Sequence, residues 1–159
     1  MGFKLINGEC LEEMAKLEAG SIDMILTDPP YGTTACKWDS IIPLELMWEQ
    51  LKRVIKPNGA IVMTASQPFT TTLISSNMGM FKYCWVWMKN VQSGFAQAKN
   101  MPLKKHEDVC LFSTGACTHV SQSKNRITYN PQDLVYKPKA VRNTKRNNKG
   151  SESAFGDRP

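Results

Sequence analysis

Apolar positions along this chain change their spacing several times, and each change marks a predicted element. Phe3-Lys4-Leu5-Ile6 reads as a short strand ended by Asn7-Gly8, and Leu11 to Leu17 as a short helix stopped before Gly20. Ser21-Ile22-Asp23-Met24-Ile25-Leu26-Thr27 is an apolar run bounded by Gly20 and by Pro29-Pro30, which predicts a buried strand. Leu44, Met47, Trp48, Leu51, Val54 and Ile55 recur at three and four, predicting an amphipathic helix over 44–55. Pro43 pre-sets its first turn, and Lys52, Arg53 and Lys56 suit the negative end of its dipole. Pro57-Asn58-Gly59 predicts a tight turn and Ala60 to Thr64 a second buried strand. Pro68 opens a helix over Phe69 to Asn77, and the aromatic-rich Phe81 to Met88 reads as a third core strand. Trp85 and Trp87 lie two apart, so they share a face, and core packing is expected for both. Val91 to Pro102 reads as a loop, Asp108 to Ser113 as a strand, and Arg126 to Tyr129 as one more short candidate. Strands and helices in alternation argue for an α/β sheet.

Composition narrows the class. A chain of 159 residues with 42% apolar content is one domain by the usual size prior and can build a core. It contains no apolar run long enough to span a membrane, and its start turns polar at Asn7, too early for a signal peptide. Residue 6 is Ile, so Gly2 does not open a myristoylation signal. The five cysteines form no Cys-x-x-Cys pair and read as free thiols in a reducing cytoplasm. Cys110, Cys117 and His119 match no zinc spacing, so no metal is expected. Charge then divides the chain. Residues 1–123 carry 11 Lys/Arg and 11 Asp/Glu, whereas residues 124–159 carry 9 and 3, so the whole net charge of +6 lies in the second part. The stretch 137–150 has too little apolar content to offset its ordering entropy and is expected to be disordered in isolation. It is either a solubilising tail or a phosphate-contacting segment.

The chemistry concentrates in Asp28-Pro29-Pro30-Tyr31. Two consecutive prolines lack N–H donors and force extended geometry on the residues before them, so the strand stops in a stiff loop. Open α/β sheets bind their ligands at that end of a strand. A carboxylate, unclaimed carbonyls and an aromatic ring suit a flat base bearing an exocyclic amine.

The quartet resembles the catalytic motif of the amino-methyltransferases, which methylate the exocyclic amine of adenine or cytosine in DNA. Further blocks follow in the family's order: Leu5 to Glu12 before the quartet, then Leu51 to Val62, Trp85 to Lys89, and Pro102 to Phe112. The resemblance covers about three quarters of the chain. It implies methyl transfer from S-adenosylmethionine to a base flipped out of double-stranded DNA. Asp28 and the Pro29 carbonyl would each accept an amine hydrogen, held by the stiff Pro29-Pro30 unit, and Tyr31 would stack on the base. Because the quartet begins with Asp, adenine is the favoured target and cytosine N4 the alternative. The remaining roles are less specific. Glu9 stands where the family has an acidic cofactor contact, and Asp28 borders the same cofactor; the plain alternative for Glu9 is a helix-capping carboxylate. Trp38 either walls the base pocket or anchors the loop by burial. His106-Glu107 is expected to serve structure, since the chemistry needs no strong base. Given the resemblance, Lys137, Lys139, Arg142, Lys145 and Arg146 become candidate DNA contacts. A bacterial or phage enzyme of the restriction-modification kind, in the cytoplasm, is implied.

One family feature is missing. The cofactor-binding Phe-x-Gly-x-Gly loop is absent, because no two glycines here are separated by a single residue. In the permuted subgroup that this motif order resembles, that loop comes after the target-recognition region. The expected organisation is therefore a catalytic part over 1–123 and a basic segment over 124–159 that begins the target-recognition region. The expected fold is a partial Rossmann-like methyltransferase sheet with helices on both faces, holding strands three to seven and lacking the two strands of the glycine-loop region. The catalytic strand would then be an open edge. A truncated enzyme, inactive by itself, or one half of a split enzyme completed by a C-terminal fragment or second subunit, follows from this, with self-association of the isolated chain. A non-catalytic DNA-binding remnant is the competing function.

Overall fold

The computed structural model describes residues 2–117, 125–130 and 132. Lys137, Lys139, Arg142, Lys145, Arg146 and His119 lie outside the described residues. The chain divides into Met1–Tyr129 and Asn130–Pro159, and every element below belongs to the first unit.

Helix α1 spans Cys10–Ala15, strand β1 Ile22–Thr27 and helix α2 Leu44–Val54. Strand β2 covers Ile55–Ala65, helix α3 Phe69–Ser76, strand β3 Phe81–Ser93 and strand β4 Lys104–Phe112. The sheet order is β1-β2-β4-β3, with β1 parallel to β2 and β4 antiparallel to both its neighbours. Register fixes the two faces. Ile25, Ile61, Phe112 and Phe81 form one row across the sheet, and Thr27, Met63, Cys110 and Cys84 the next row on that same face. Against it pack Met47, Trp48 and Leu51 of α2, Phe69 and Leu73 of α3, and Leu11 and Met14 of α1. Each fully buried large side chain stabilises this layer by roughly 1.5–3 kcal/mol. The Trp48 indole N–H donates to Ser76 Oγ at 2.8 Å, tying α2 to α3.

The other face is different. Leu26, Val62, Leu111 and Tyr83 form its row, with Thr64, Val109 and Trp85 beside them. The α/β sheet is as expected, but helices were expected on both faces and, among the described residues, α1, α2 and α3 all gather on one. Trp85 and Trp87 share a face, as their spacing requires, yet they are 47% and 51% exposed rather than core. Only neighbours on β3 itself lie against their rings among the contacts of the described residues, Tyr83 edge-on to Trp85 and Lys89 over Trp87. Leu26 is 69% exposed on the same face, at the edge strand.

Strand limits also shift. The Pro57-Asn58-Gly59 turn is absorbed into β2 as a bulge, where pairing jumps from Ile22↔Ile55 to Met24↔Ala60 and Asn58 takes φ 64°. Before Asp108, β4 pairs with β3 alone in a two-stranded ribbon that takes in Val91 to Ser93, while the rest of the expected 91–102 loop remains a loop at the ribbon's tip. That ribbon projects from the end of the sheet where β1 and β2 finish. Phe3 to Ile6 forms no strand; Phe3 and Leu5 are exposed, and no neighbouring strand among the described residues pairs with them. Arg126 makes one isolated bridge to Ala116 instead of a strand. Of the five strands and one further candidate that the sequence predicts, four form among the described residues.

Candidate active site

Asp28 is the first residue past β1. Its Oδ1 accepts the Tyr31 hydroxyl at 2.8 Å and also the Thr64 hydroxyl, which arrives from β2. Because Thr27 stands opposite Met63, the next position of β2 falls beside Asp28. The Tyr31 ring stacks on Phe69 of α3, with centroids 5.4 Å apart and planes 20° apart. Partial burial holds the Tyr31 phenol well above its ordinary range; the Thr64 hydroxyl opposes this and the Asp28 carboxylate adds to it. No donor among the described residues reaches the Pro29 carbonyl.

The loop after the quartet is fixed by a buried carboxylate. Asp39 accepts the backbone N–H groups of Gly32, Thr33 and Thr34 at 2.8, 2.9 and 2.7 Å. The Thr34 hydroxyl first, and these N–H groups with it, pull the Asp39 carboxyl down to about 2. Gly32 sits at φ +67°, and a Cβ there would lie 2.8 Å from Ile41 Cγ1, so both conformation and space require glycine. The loop and quartet enclose an open pocket of 240 Å³ lined by Asp28, Pro29, Pro30, Tyr31, Thr33, Thr34, Trp38 and Asp39. Trp38 is 74% exposed at its rim, which removes the buried-anchor reading.

Glu9 caps α1: its Oε2 accepts the Glu12 N–H at 2.9 Å, and this with the Leu11 N–H lowers its pKa. Oε1 accepts the Cys10 thiol at 3.4 Å. Cys10 and Pro29 line one small apolar pocket of 120 Å³, so the start of α1 lies against the quartet. His106 is exposed opposite Met88, while Glu107 pairs with Lys89, whose Nζ sits 5.5 Å over the Trp87 ring. Among the described residues no three His, Cys, Asp or Glu side chains are grouped as metal ligands. No helix among them is long and apolar enough to cross a membrane.

Sequence reasoning did not find Thr64, Phe69 or Asp39. Thr64 and Phe69 reach the quartet only through the register and the helix packing, which no spacing reveals. Asp39 had a local signal, an acidic residue a few positions after Gly32-Thr33-Thr34, where short N–H runs wrap a carboxylate.

The fold is similar to that of DNA methyltransferases of known structure. The chain matches the PvuII DNA methyltransferase (cytosine-N4-specific) with a TM-score of 0.53 and 15% identity, over 67% of this chain and 47% of that one. It matches a candidate DNA modification methylase of Thermus thermophilus with a TM-score of 0.51 and 17% identity, over 69% and 52% of the two chains. In sequence it is similar to the Type II methyltransferase M.HpaI of Haemophilus parainfluenzae, 26% identical over 125 residues. That match covers 71% of this chain and 39% of the relative, so the chain spans well under half of the curated relative's length. No family model matches the chain.

Proposed function

We propose that this chain is the catalytic part of a DNA methyltransferase that transfers a methyl group from S-adenosylmethionine to the exocyclic amine of a flipped-out adenine. The carrying observation is the quartet itself: Asp28 to Tyr31 close β1 and line an open pocket together with Trp38. An exocyclic amine is a weak nucleophile because its lone pair is delocalised into the ring. Asp28 and the Pro29 carbonyl accept its two hydrogens, which turns the lone pair outward. Tyr31, stacked on Phe69, offers its other ring face to the base, and Trp38 closes the rim. Positioning and electrostatics do the catalysis. Adenine is favoured by the leading Asp of the quartet, and cytosine N4 is the alternative. The setting is the cytoplasm of a bacterium or a phage-infected cell, in restriction-modification or related DNA marking.

The residues present fit part of the cofactor. Glu9, exposed at the start of α1, is proposed to accept a ribose hydroxyl in place of the Cys10 thiol, and Asp28, next to the Pro29 that shares a pocket with Cys10, to border the same cofactor. S-adenosylmethionine supplies the electrophilic methyl. No glycine-x-glycine turn occurs in the chain to let backbone close on the cofactor. A C-terminal fragment or second subunit carrying that turn and two further strands is therefore proposed to complete the enzyme at the β1 edge. The same gap supports a second reading for the chain by itself, a non-catalytic DNA-binding remnant.

Duplex DNA is the proposed partner. Residues 88–106 of the ribbon carry 4 Lys and no Asp or Glu and project from the sheet end that holds Asp28. Lys137, Lys139, Arg142, Lys145 and Arg146 are proposed as further phosphate contacts. The test is tritiated methyl incorporation into unmethylated DNA with the completing fragment supplied, followed by digestion to nucleosides. Label in N6-methyladenine is the expected result; label in N4-methylcytosine reverses the base assignment, and no label in either rejects the activity.

A further inference from the structure

We infer that Thr64 is a positioning residue for the Asp28 carboxylate: its hydroxyl and that of Tyr31 converge on Oδ1, leaving Oδ2 as the acceptor for one hydrogen of the substrate amine. The inference rests on the role proposed above for Asp28. Asp28 lies past the last residue of β1, exposed, where no ladder bond orients its side chain. A carboxylate there turns freely unless something holds it. Tyr31 holds it only within the loop, since the two residues are three apart on the same turn. Thr64 is different. It belongs to β2, paired on one side with β1 and on the other with Val109 of β4, so its hydroxyl is referenced to the sheet. Branching at Cβ restricts its χ1, so the hydroxyl direction is narrow.

Both donors use the same oxygen. Among the described residues no donor reaches Oδ2. The arrangement therefore selects one oxygen for the substrate and fixes its direction relative to the Pro29 carbonyl, the proposed second acceptor. Two acceptors must meet two hydrogens of one planar amine, and a small error in either separates them from the in-line geometry. Thr64 also lies on the sheet face away from the helices, beside Val109 and Trp85, so it adds nothing to the main core.

The experiment compares the parent chain with Thr64→Val and Thr64→Ser. Valine keeps the shape and the strand preference without the hydroxyl; serine keeps the hydroxyl without the methyl. In the full chain without DNA or cofactor, the ¹³Cζ resonance of Tyr31, assigned with Tyr31→Phe, reports hydrogen bonding by the phenol. Thr64→Val should move it and Thr64→Ser should leave it in place. In the completed enzyme Thr64→Val should lower kcat about tenfold, the order of one hydrogen bond to a charged acceptor, with KM for DNA unchanged, and Thr64→Ser should restore it. An unmoved Tyr31 resonance in Thr64→Val overturns the inference, as does equal loss of kcat in both variants. If the resonance moves as expected but the parent transfers no methyl group, the proposed function fails and the shared carboxylate oxygen stands.

Discussion

Tyr31 connects three neighbours at once: its hydroxyl donates to Asp28, one ring face lies on Phe69, and the ring lines the pocket. Its substitutions should therefore separate. Tyr31→Phe keeps the ring and removes one donor from Oδ1, costing transfer about 1 kcal/mol and base stacking little. Tyr31→Ala should lose about 1–3 kcal/mol of stacking. Fluorescence of 2-aminopurine at the target position distinguishes them, and identical signals for Tyr and Ala rule out a stacking role. Asp39 gives a pH signature. Its folded carboxyl sits at about 2 against an ordinary 3.8, so the unfolded chain binds its proton first. The stability it contributes is complete above the unfolded value and is lost as pH falls towards 2. Thermal unfolding across that window should show Asp39→Asn less sensitive to acid than the parent. Equal acid sensitivity would count against the N–H cradle around Asp39.

At the scale of elements, Arg53 shows how far a local reading reaches. It sits in the last turn of α2, where its charge suits the dipole as expected, and its guanidinium also donates to the carbonyls of Met14 and Leu17 at 2.6 and 2.7 Å. It closes the C-terminal end of α1, whose other end carries Glu9. Arg53→Met should destabilise the fold by about 1–3 kcal/mol, chiefly the cost of leaving the Leu17 carbonyl without its donor, since Met14 O keeps the Leu17 N–H, as read from urea unfolding. A shift within error would mean that water satisfies those carbonyls equally well. The elements that were legible had local boundaries. Pro29-Pro30 ends β1, and the three-four spacing of Leu44 to Val54 makes α2. The bulge at Pro57-Asn58-Gly59 was not legible, because a turn signal does not say whether pairing resumes with the same neighbour. Trp85 and Trp87 teach the same point: a period of two assigns residues to a face but says nothing about what covers it. Thr64 is the site's version of that limit, a strand residue whose partner only the register supplies.

Among the described residues all three helices pack on one face of the sheet, while on the other Val62 and Leu111 are buried and Trp85 and Trp87 stay about half exposed. Met24 and Leu26 are more than half exposed on β1, at one edge of the sheet, and Trp85 and Trp87 are about half exposed on β3, at the opposite edge. Such an edge and face invite pairing with another chain. Sedimentation velocity of the isolated chain should show concentration-dependent association that Leu26→Lys weakens; a monodisperse monomer at all concentrations would contradict it. The central claim is that Asp28 acts on the amine in the transition state and does not serve to hold the duplex. Single-turnover methyl transfer by Asp28→Ala, in the enzyme completed by the proposed glycine-loop fragment and measured beside DNA affinity, tests it most directly. Loss of transfer with DNA binding nearly intact is the predicted result, and transfer at the parent rate would contradict the account.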